Sequence, residues 1–242
     1  MRTDSVHTLW CTRMTSYAAT RDRVEDYFDR TATKTWERLT SDAPVSGVRA
    51  TVRAGRDRMR ELMLAQLPND LRGTRVLDAG CGTGAMAVEL AKRGAAVVAV
   101  DISPALIEIA KARMPEELSR RIEWVSGDML DDTQGRFDHA VAMDSLIYYD
   151  ADDIAALLNK AIDRIDGKFV FTLAPRTKML MVMWRVGKLF PRKDRSPTMV
   201  PHTTAGIATA LRNAGSKGAL KEIERIKSGF YISSAFSYER GS

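Results

Sequence analysis

The segment VLDAGCGTG, residues Val76–Gly84, constrains what this chain can fold into more than any other. Two apolar residues lead to an acid, glycine then stands at every second position, and a helix-like run follows from Met86 to Arg93. A second apolar run, Ala95–Val100, ends on Asp101. Strand, glycine turn, helix, strand and acid in this order are typical of a nucleoside pocket at the carboxyl edge of a parallel sheet. We expect the Asp101 carboxylate to accept hydrogen bonds from two ribose hydroxyls.

Strands and helices alternate from Arg75 onward, which predicts a mostly parallel sheet with helices on both faces. A late strand pair with a turn at Ser228-Gly229 predicts an antiparallel terminal strand. Ser103-Pro104 is a favourable helix start. The predicted strands are Arg75–Ala79, Ala96–Asp101, Ile122–Ser126, Asp138–Met143, Lys168–Leu173, Lys221–Lys227 and Tyr231–Tyr238. The predicted helices are Ala85–Arg93, Pro104–Ala112, Asp152–Ile165 and Thr203–Ala214.

This pattern divides the chain into four parts. Residues 1–66 are predicted to form an N-terminal helical cap, because apolar residues recur at helical spacing between Ser16 and Gln66. Residues 67–175 form the nucleoside-binding core. Residues 176–202 are an insertion rich in Met, Arg and Lys, and residues 203–242 supply a helix and a strand pair that complete the core.

The glycine spacing excludes two classes of nucleotide pocket. Gly80, Gly82 and Gly84 do not fit the G-x-G-x-x-G pattern of dinucleotide sites, and the chain has no G-x-x-x-x-G-K-[ST] loop for a triphosphate. Asp78, beside the turn, would repel a phosphate but could contact an ammonium group. The turn therefore suits a nucleoside with an ammonium group.

Charge and cysteine content narrow the class of protein further. The net charge of +6 suits a carboxylate substrate, an anionic membrane surface or nucleic acid, and charge alone does not choose between them. Cys11 and Cys81 lie far apart in sequence, which predicts reduced thiols rather than a disulfide framework or a zinc site. No apolar run approaches the roughly 20 residues of a membrane span, and Met1–Arg13 lacks the apolar centre of a secretory signal. We therefore expect a cytoplasmic protein.

With these motifs in order, residues 75–175 resemble the class I S-adenosylmethionine-dependent methyltransferases. The resemblance implies an α/β fold with a Rossmann-like sheet, mostly parallel with an antiparallel terminal strand, a helical cap and a lid insertion. It implies S-adenosylmethionine as the donor and S-adenosylhomocysteine as the product. The segment Ser126–Met129 is similar to the adenine-contacting segment of that family. The residues implied for donor binding are Asp78, Gly80, Cys81, Gly82, Gly84, Asp101, Ile102, Asp128, Met129 and Met143.

Two further segments resemble one subfamily, the magnesium-protoporphyrin IX O-methyltransferases of chlorophyll and bacteriochlorophyll synthesis. They are residues Val24–Leu39 and the insertion Pro175–Arg192. This resemblance implies methyl transfer to one propionate carboxylate of a magnesium porphyrin. It also suggests the magnesium chelatase large subunit as a partner that supplies the porphyrin. The apolar run of the insertion, followed by positive charge, suits peripheral association with an anionic chromatophore membrane. We expect no nucleic-acid partner.

A porphyrin is a flat apolar plate with anionic arms, so it suits aromatic and methionine side chains together with basic ones. Tyr27 is the candidate that orients the acceptor, through its hydroxyl. His139 is a candidate that donates to the propionate or ligates the porphyrin's magnesium, and either residue could instead be an ordinary packed side chain. Magnesium arrives inside the porphyrin, so we expect no separate metal site. The candidate acceptor-binding residues are Tyr17, Phe28, Trp36, Arg176, Met179, Met183 and His202.

Three alternatives remain. The acceptor could be another small apolar carboxylate, a phenol or an amine, and the last two often need a base, such as His139 or His202. Nucleic-acid methylation fits the basic charge, but Asp144-Ser145-Leu146-Ile147 stands where an Asn/Asp-Pro-Pro-Tyr type motif would be expected. A non-catalytic donor-binding protein would bind S-adenosylmethionine without forming S-adenosylhomocysteine.

Overall fold

The computed structural model of the chain describes residues 17–29, 47–177, 181 and 199–241. A seven-stranded sheet is the centre of this described part. Its strands are β1 (Arg75–Ala79), β2 (Ala96–Asp101), β3 (Ile122–Ser126), β4 (His139–Ala142), β5 (Phe169–Leu173), β6 (Gly218–Ser228) and β7 (Tyr231–Arg240). The order across the sheet is β3-β2-β1-β4-β5-β7-β6.

Strand direction follows the connections. The neighbours among β1 to β5 pair in parallel, because a helical or irregular crossover joins each to the next. The tight turn between β6 and β7 makes that pair antiparallel, and β7 also pairs antiparallel with β5. The last strand of the chain is therefore inserted between β5 and the edge strand β6. The predicted sheet, mostly parallel with an antiparallel terminal strand, is confirmed.

Helices cover both faces of the sheet. Residues 17–29 are helical and are called α1. The others are α2 (Gly47–Leu64), α3 (Ala85–Lys92), α4 (Pro104–Arg113), α5 (Ala151–Ile162) and α6 (Thr204–Asn213). Ser103 accepts a hydrogen bond from the backbone N–H of Leu106 and Pro104 follows it, so the start predicted for α4 is confirmed.

Successive strand residues enter two separate core layers. On β1, Val76 packs in a layer with α2 and α3, while Leu77 packs in a layer with α5 and α6. All five residues of β5 are buried, as expected for a strand covered on both faces. Each fully buried Leu, Val or Phe side chain contributes about 1.5–3 kcal/mol. The second half of the predicted cap, α2, thus packs directly on the sheet.

The strand order reverses between β1 and β4, since β1 leads outward to β2 on one side and β4 lies on its other side. In open α/β sheets, the carboxyl ends of the strands at such a reversal form a crevice that binds ligands. The fold therefore places a binding crevice beside the glycine turn that follows β1.

The predicted element boundaries hold best in the first half of the core. The structure has β1, β2 and β3 with the predicted bounds. The predicted helix Asp152–Ile165 was too long, because α5 ends at Ile162 and Ile165 instead forms a bridge with Phe137. Both late strands extend beyond the predicted ranges, to Gly218–Ser228 and Tyr231–Arg240. None of the helices in the described ranges is long and apolar enough to cross a membrane.

Candidate active site

A cavity of about 280 Å³ opens at the carboxyl ends of β1, β2 and β4. Residues that follow these strands and β3 form its floor, and side chains of α1 and α2 form its walls. Nine of the ten residues predicted for donor binding line it, namely Asp78, Gly80, Cys81, Gly82, Asp101, Ile102, Asp128, Met129 and Met143.

The glycine turn after β1 brings the backbone against the cavity. Gly80 has a φ of 77°, and a Cβ there would overlap the side chain of Ser145 beyond β4. Gly84 has a φ of 84° and is not among the residues that line the cavity, so the direct donor contact predicted for it is not seen. A Cβ on Gly84 would lie 2.5 Å from the Trp124 ring, so this glycine lets α3 approach β3 closely.

Asp101 closes β2 and is held by the backbone. Its two carboxylate oxygens accept hydrogen bonds from the N–H groups of Gly82 (2.8 Å) and Ser103 (2.9 Å). Burial raises the pKa of Asp101 to about 6, against the effect of these two N–H donors. Each oxygen keeps a further lone pair, so the fixed carboxylate can also accept from a ligand diol.

Asp78 is the least satisfied polar group in the described part of the cavity wall. Its Oδ2 is buried without a hydrogen-bond partner, although the carboxylate accepts from the backbone N–H of Ala87. Burial raises the pKa of Asp78 to about 7, and the nearby Asp101 carboxylate adds to the rise. A buried acceptor without a partner is costly, so this oxygen fits a cationic donor group on a ligand.

Asp128, after β3, is held by α1. Its Oδ1 accepts from the Tyr17 hydroxyl (2.7 Å) and the Leu130 N–H (2.8 Å), and its Oδ2 accepts from Arg21 (3.2 Å). The Tyr17 ring stacks on Tyr149 at 5.0 Å. Tyr17, expected at the acceptor, therefore lies at the end of the cavity formed by β3, because its hydroxyl is bonded to Asp128.

Phe28, also expected at the acceptor, lines the cavity, and its ring makes an edge contact with Tyr148 at 6.3 Å. Tyr27 lies behind this wall, packed edge-on against Phe28 at 5.3 Å, and is not among the lining residues. Tyr148, rather than Tyr27, is the tyrosine that lines this part of the cavity. Burial raises the pKa of the Tyr148 hydroxyl, which keeps it protonated and able to donate.

The structure places His139 away from the cavity, so it does not support the role predicted for this residue. His139 begins β4 and pairs with Val76 at the start of β1, whereas the cavity lies at the opposite, carboxyl ends of these strands. Its Nδ1 accepts a hydrogen bond from the Lys168 backbone N–H (3.1 Å), and burial lowers its pKa. His139 is a structural residue of the far sheet edge.

His202 and Arg176 join the two ends of the insertion. The backbone N–H of Arg176 donates to the carbonyl of His202 (2.8 Å), and the His202 Nε2 donates to the carbonyl of Tyr149 (2.9 Å). Arg176 is exposed, and neither residue lines the cavity in the described structure, so their expected acceptor contacts are not seen. Trp36, Met179, Met183 and most of the lid insertion lie outside the described residues.

Sequence reasoning missed a row of arginines on α2. Arg53, Arg56 and Arg60 recur at i, i+3 and i+7 and all line the cavity. Arg56 donates to Asp144 Oδ2 at 2.5 Å, and Arg60 pairs with Asp57 at 3.0 Å. The helical spacing of three arginines shortly before the first strand was the available signal.

Sequence motifs indicated Asp144 only as a member of the segment that follows β4, without a role of its own. It has a φ of 57°, unusual for a residue other than glycine. Besides Arg56, its carboxylate accepts from the Tyr231 hydroxyl (3.1 Å) and Thr172 Oγ1 (3.3 Å). This carboxylate joins α2, β4, β5 and β7 at one side of the cavity.

Comparisons with known proteins agree with this geometry. A family model described as "Methyltransferase domain" matches residues 76–165, and one described as "Magnesium-protoporphyrin IX methyltransferase C-terminus" matches residues 142–240. Magnesium-protoporphyrin O-methyltransferase of Rhodobacter capsulatus is 56% identical over 92% of this chain and 97% of its own length. This chain belongs to the magnesium-protoporphyrin O-methyltransferase family. The family predicted from the sequence motifs is confirmed.

Less similar proteins also match this chain. Magnesium-protoporphyrin O-methyltransferase of Synechocystis is 30% identical over 79% of this chain and 85% of its own length. The crystal structure of magnesium protoporphyrin IX methyltransferase from Synechocystis PCC 6803 with bound SAH has a TM-score of 0.74 and 27% identity, covering 90% of this chain and 98% of that one. Geranyl diphosphate C-methyltransferase from Streptomyces coelicolor, with a TM-score of 0.65 and 13% identity, shares the fold alone.

Proposed function

We propose that this protein transfers a methyl group from S-adenosylmethionine to a propionate carboxylate of magnesium-protoporphyrin IX, giving the monomethyl ester in chlorophyll or bacteriochlorophyll synthesis. The observation that carries the proposal is the 56% identity, over nearly the full length of both chains, to a magnesium-protoporphyrin O-methyltransferase. The cavity at the sheet reversal gives this activity a site.

The described residues fit the donor. The Asp78 oxygen without a partner suits the donor's ammonium group, and the backbone-held Asp101 suits the ribose diol. Asp128, held by α1, suits the adenine amine. When bound, the donor supplies a methyl group on a positively charged sulfur. The three acids follow β1, β2 and β3, so they would arrange the donor along the carboxyl edge of the sheet.

Methylation of a carboxylate does not require a general base in the protein. A propionate ionises near the glutamate pKa of about 4.3, so it is already a carboxylate at pH 7. The histidines considered as bases for a phenol or amine lie elsewhere, His139 at the opposite sheet edge and His202 on the Tyr149 carbonyl. The protein's contribution is then to align the carboxylate with the methyl group and to exclude water.

Tyrosine hydroxyls can supply the alignment. Tyr148 lines the cavity with a hydroxyl that stays protonated and can donate to one carboxylate oxygen. Tyr27 remains our candidate for orienting the acceptor, from its position against Phe28, which lines the cavity. Arg176 and His202, at the two ends of the insertion, are hydrogen-bonded to each other beside the Tyr149 carbonyl, and this position of the two ends supports our proposal that the insertion is a lid over the acceptor.

Delivery of the porphyrin is a further part of the proposal. A flat, poorly soluble acceptor favours direct transfer from the magnesium chelatase large subunit, and a net charge of +6 favours peripheral contact with an anionic chromatophore membrane from the cytoplasmic side. Pull-down with the chelatase subunit and sedimentation with anionic vesicles test these contacts. No enrichment and no salt-sensitive vesicle binding would contradict them.

The pH dependence of turnover separates the proposed acceptor from its rivals. With both substrates saturating, kcat for a carboxylate acceptor should be nearly constant from about pH 7 to pH 9, because the nucleophile is already ionised. A phenol or amine acceptor would give a kcat that falls steeply below the pKa of a base. Donor binding without any S-adenosylhomocysteine formation would identify a non-catalytic protein instead.

A further inference from the structure

Among the residues that the structure describes, the two exposed large hydrophobic side chains lie at the same edge of the sheet. They are Phe230, which is 58% exposed, and Met199, which is 40% exposed. Phe230 stands directly before Tyr231, the first residue of β7. Because β7 is antiparallel to β5, its first residues lie beside the carboxyl end of β5. The Tyr231 hydroxyl donates to Asp144, which lines the cavity (3.1 Å), so Phe230 belongs to the edge at which the cavity opens.

Contacts of the chain beside Met199 bring it to the same region. The next residue, Val200, donates its backbone N–H to the carbonyl of Ile147 (2.8 Å). Ile147 follows β4 and packs in one small cluster with Ile232 of β7, two residues beyond Phe230. Val200 and Ile232 are only half-buried, so apolar atoms stay accessible around the cluster as well. We call these four residues, Met199, Val200, Phe230 and Ile232, the apolar rim.

Basic side chains accompany the apolar rim. Lys227 is exposed and lies opposite Ile232 in the register of β6 and β7. Arg176 is also exposed, and its backbone N–H donates to the carbonyl of His202, two residues beyond Val200 (2.8 Å). Exposed apolar side chains next to cations suit the boundary between lipid chains and phosphate headgroups, because the apolar groups enter the lipid while the cations remain among the phosphates.

Acidic groups near the apolar rim offset this positive charge only in part. Glu222 and Glu224 of β6 lie 3.6 Å from Arg225 and Arg58, so both already have a cationic partner. Asp150, which caps α5, is an exposed acid in the same region. The acidic residues of α1 lie at the other end of the edge, since that helix contacts the residues after β2 and β3. The end of the edge formed by β5 and β7 is therefore the end that suits an anionic surface.

We propose that the apolar rim docks this protein on an anionic bilayer, with the Phe230 ring inserted at the level of the headgroups. This rests on the proposed function, because it names the surface that makes the membrane contact included there. The cavity opens at the same edge of the sheet, so docking turns the cavity toward a bilayer in which an apolar porphyrin dissolves. A second copy of this chain seated on the rim would bring like charges together, which disfavours a dimer through this surface.

The test measures partition of the full-length protein into lipid vesicles by sedimentation. One set of vesicles is phosphatidylcholine alone, and the other also contains phosphatidylglycerol. We expect the wild type to prefer the anionic vesicles and to lose this preference as the salt concentration rises, because salt screens attraction between surface charges. Sedimentation velocity without vesicles records the oligomeric state of the same samples.

Substitutions locate the docking surface. Phe230→Ser should lower partition into the anionic vesicles by about ten- to a hundredfold, the range for removing one large side chain from an apolar phase. Phe230→Trp keeps an aromatic ring and should retain binding. Lys227→Gln should lower partition about fivefold. Arg120→Gln is the matched control, because it removes the same charge from an exposed residue just before β3, at the opposite edge of the sheet, and should bind like the wild type.

Turnover separates docking from chemistry. With the porphyrin dissolved in detergent, Phe230→Ser and Lys227→Gln should have the kcat/KM of the wild type, because neither residue lines the cavity. With the porphyrin supplied in anionic vesicles, kcat/KM should fall in both variants in parallel with their partition. Should Phe230→Ser fail to fold, the comparison of Lys227→Gln with Arg120→Gln decides by the same criterion.

Three results would overturn the proposal. They are a wild type without preference for anionic vesicles, equal partition of the wild type, Phe230→Ser and Lys227→Gln, or a dimer that Phe230→Ser dissociates, which would assign the rim to a second copy. A wild type that methylates detergent-dissolved magnesium protoporphyrin but does not bind vesicles contradicts this inference alone. A wild type that binds vesicles and the donor but methylates no porphyrin contradicts the proposed function.

Discussion

The carboxylate of Asp78 combines complete burial with an oxygen that has no partner in the described structure. With a pKa of about 7, a substantial fraction of the unliganded molecules carry a proton there at neutral pH. An ammonium group is bound well only by the ionised form. Asp78 therefore links donor binding to proton release.

Donor affinity should rise as the pH increases from about 6 to about 7.5, because Asp78 is then ionised before the donor arrives. It should fall again above the α-amino pKa of about 7.7–8.0, where the donor's ammonium group loses its proton. Calorimetry at pH 6.5 in two buffers of different ionisation enthalpy should detect release of a fraction of a proton. Asp78→Asn should bind the donor more weakly and should lose most of this proton release. A wild type with identical binding enthalpy in both buffers would contradict the assignment.

Arg56 and Asp144 form an ion pair in the cavity wall, in which each charge neutralises the other. Arg56→Leu should destabilise the protein by about 1–3 kcal/mol, since it leaves a half-buried carboxylate without its cation, although two hydroxyls still donate to it. Adding Asp144→Asn should recover part of this loss, and asparagine tolerates the left-handed backbone at this position. Urea unfolding of both single variants and the double variant measures the coupling. Additive losses would show that the pair does not act as a unit.

Among the elements, the turn between β1 and α3 depends on a glycine for two separate reasons. Gly80 and Gly73 both have positive φ values, 77° and 78°, but only Gly80 has a neighbour, Ser145, where a Cβ would be. Gly73→Ala should cost about 1–2 kcal/mol for the left-handed backbone alone. Gly80→Ala should cost about 1–3 kcal/mol more, because it also forces the loop after β4 away. Equal losses in chemical denaturation would mean that Ser145 moves aside freely.

The helix α1 contacts the donor half of the site through the Tyr17 hydroxyl and the Arg21 guanidinium, which both donate to Asp128, and through Asp29, which accepts a hydrogen bond from the Ser103 hydroxyl. Tyr17→Phe removes the bond to Asp128, so donor affinity should fall by roughly tenfold, in line with hydrogen bonds to charged groups. Amide hydrogen exchange in residues 17–29 should become faster. Tyr27→Phe on the same helix is the control, since it should leave donor affinity intact and lower turnover. Unchanged donor binding in Tyr17→Phe would remove α1 from the donor site.

For the whole molecule, local sequence signals predicted the sheet well and side-chain positions less well. β1 and β2 are short apolar runs bounded by turns, so their ends could be read directly. The insertion of β7 between β5 and β6 depends on pairings between distant segments, which a local pattern does not contain. The end of α5 was missed because a tertiary bridge from Ile165 to Phe137 outweighs helix propensity.

The candidate site, like the sheet, could be predicted where it follows from local sequence and not where it depends on contacts between distant segments. The glycine turn and the acids after β1, β2 and β3 follow from the fold, since the carboxyl ends of parallel strands meet at one edge. His139 lies away from the cavity because it is the first residue of β4, and the start of a parallel strand is at the sheet edge opposite the carboxyl ends. Arg56 and Asp144 are 88 residues apart, and only the folded chain brings them within 2.5 Å.

Methyl transfer to a porphyrin acid is the central claim, and mass analysis of the product measures it most directly. Purified protein is incubated with S-adenosylmethionine labelled in its methyl group and with magnesium protoporphyrin IX, and the porphyrin is then extracted. We predict one labelled methyl ester per porphyrin and an equal amount of S-adenosylhomocysteine, with Asp101→Ala strongly reduced at the same donor concentration. Recovery of unlabelled porphyrin from protein that demonstrably binds both compounds would contradict the account.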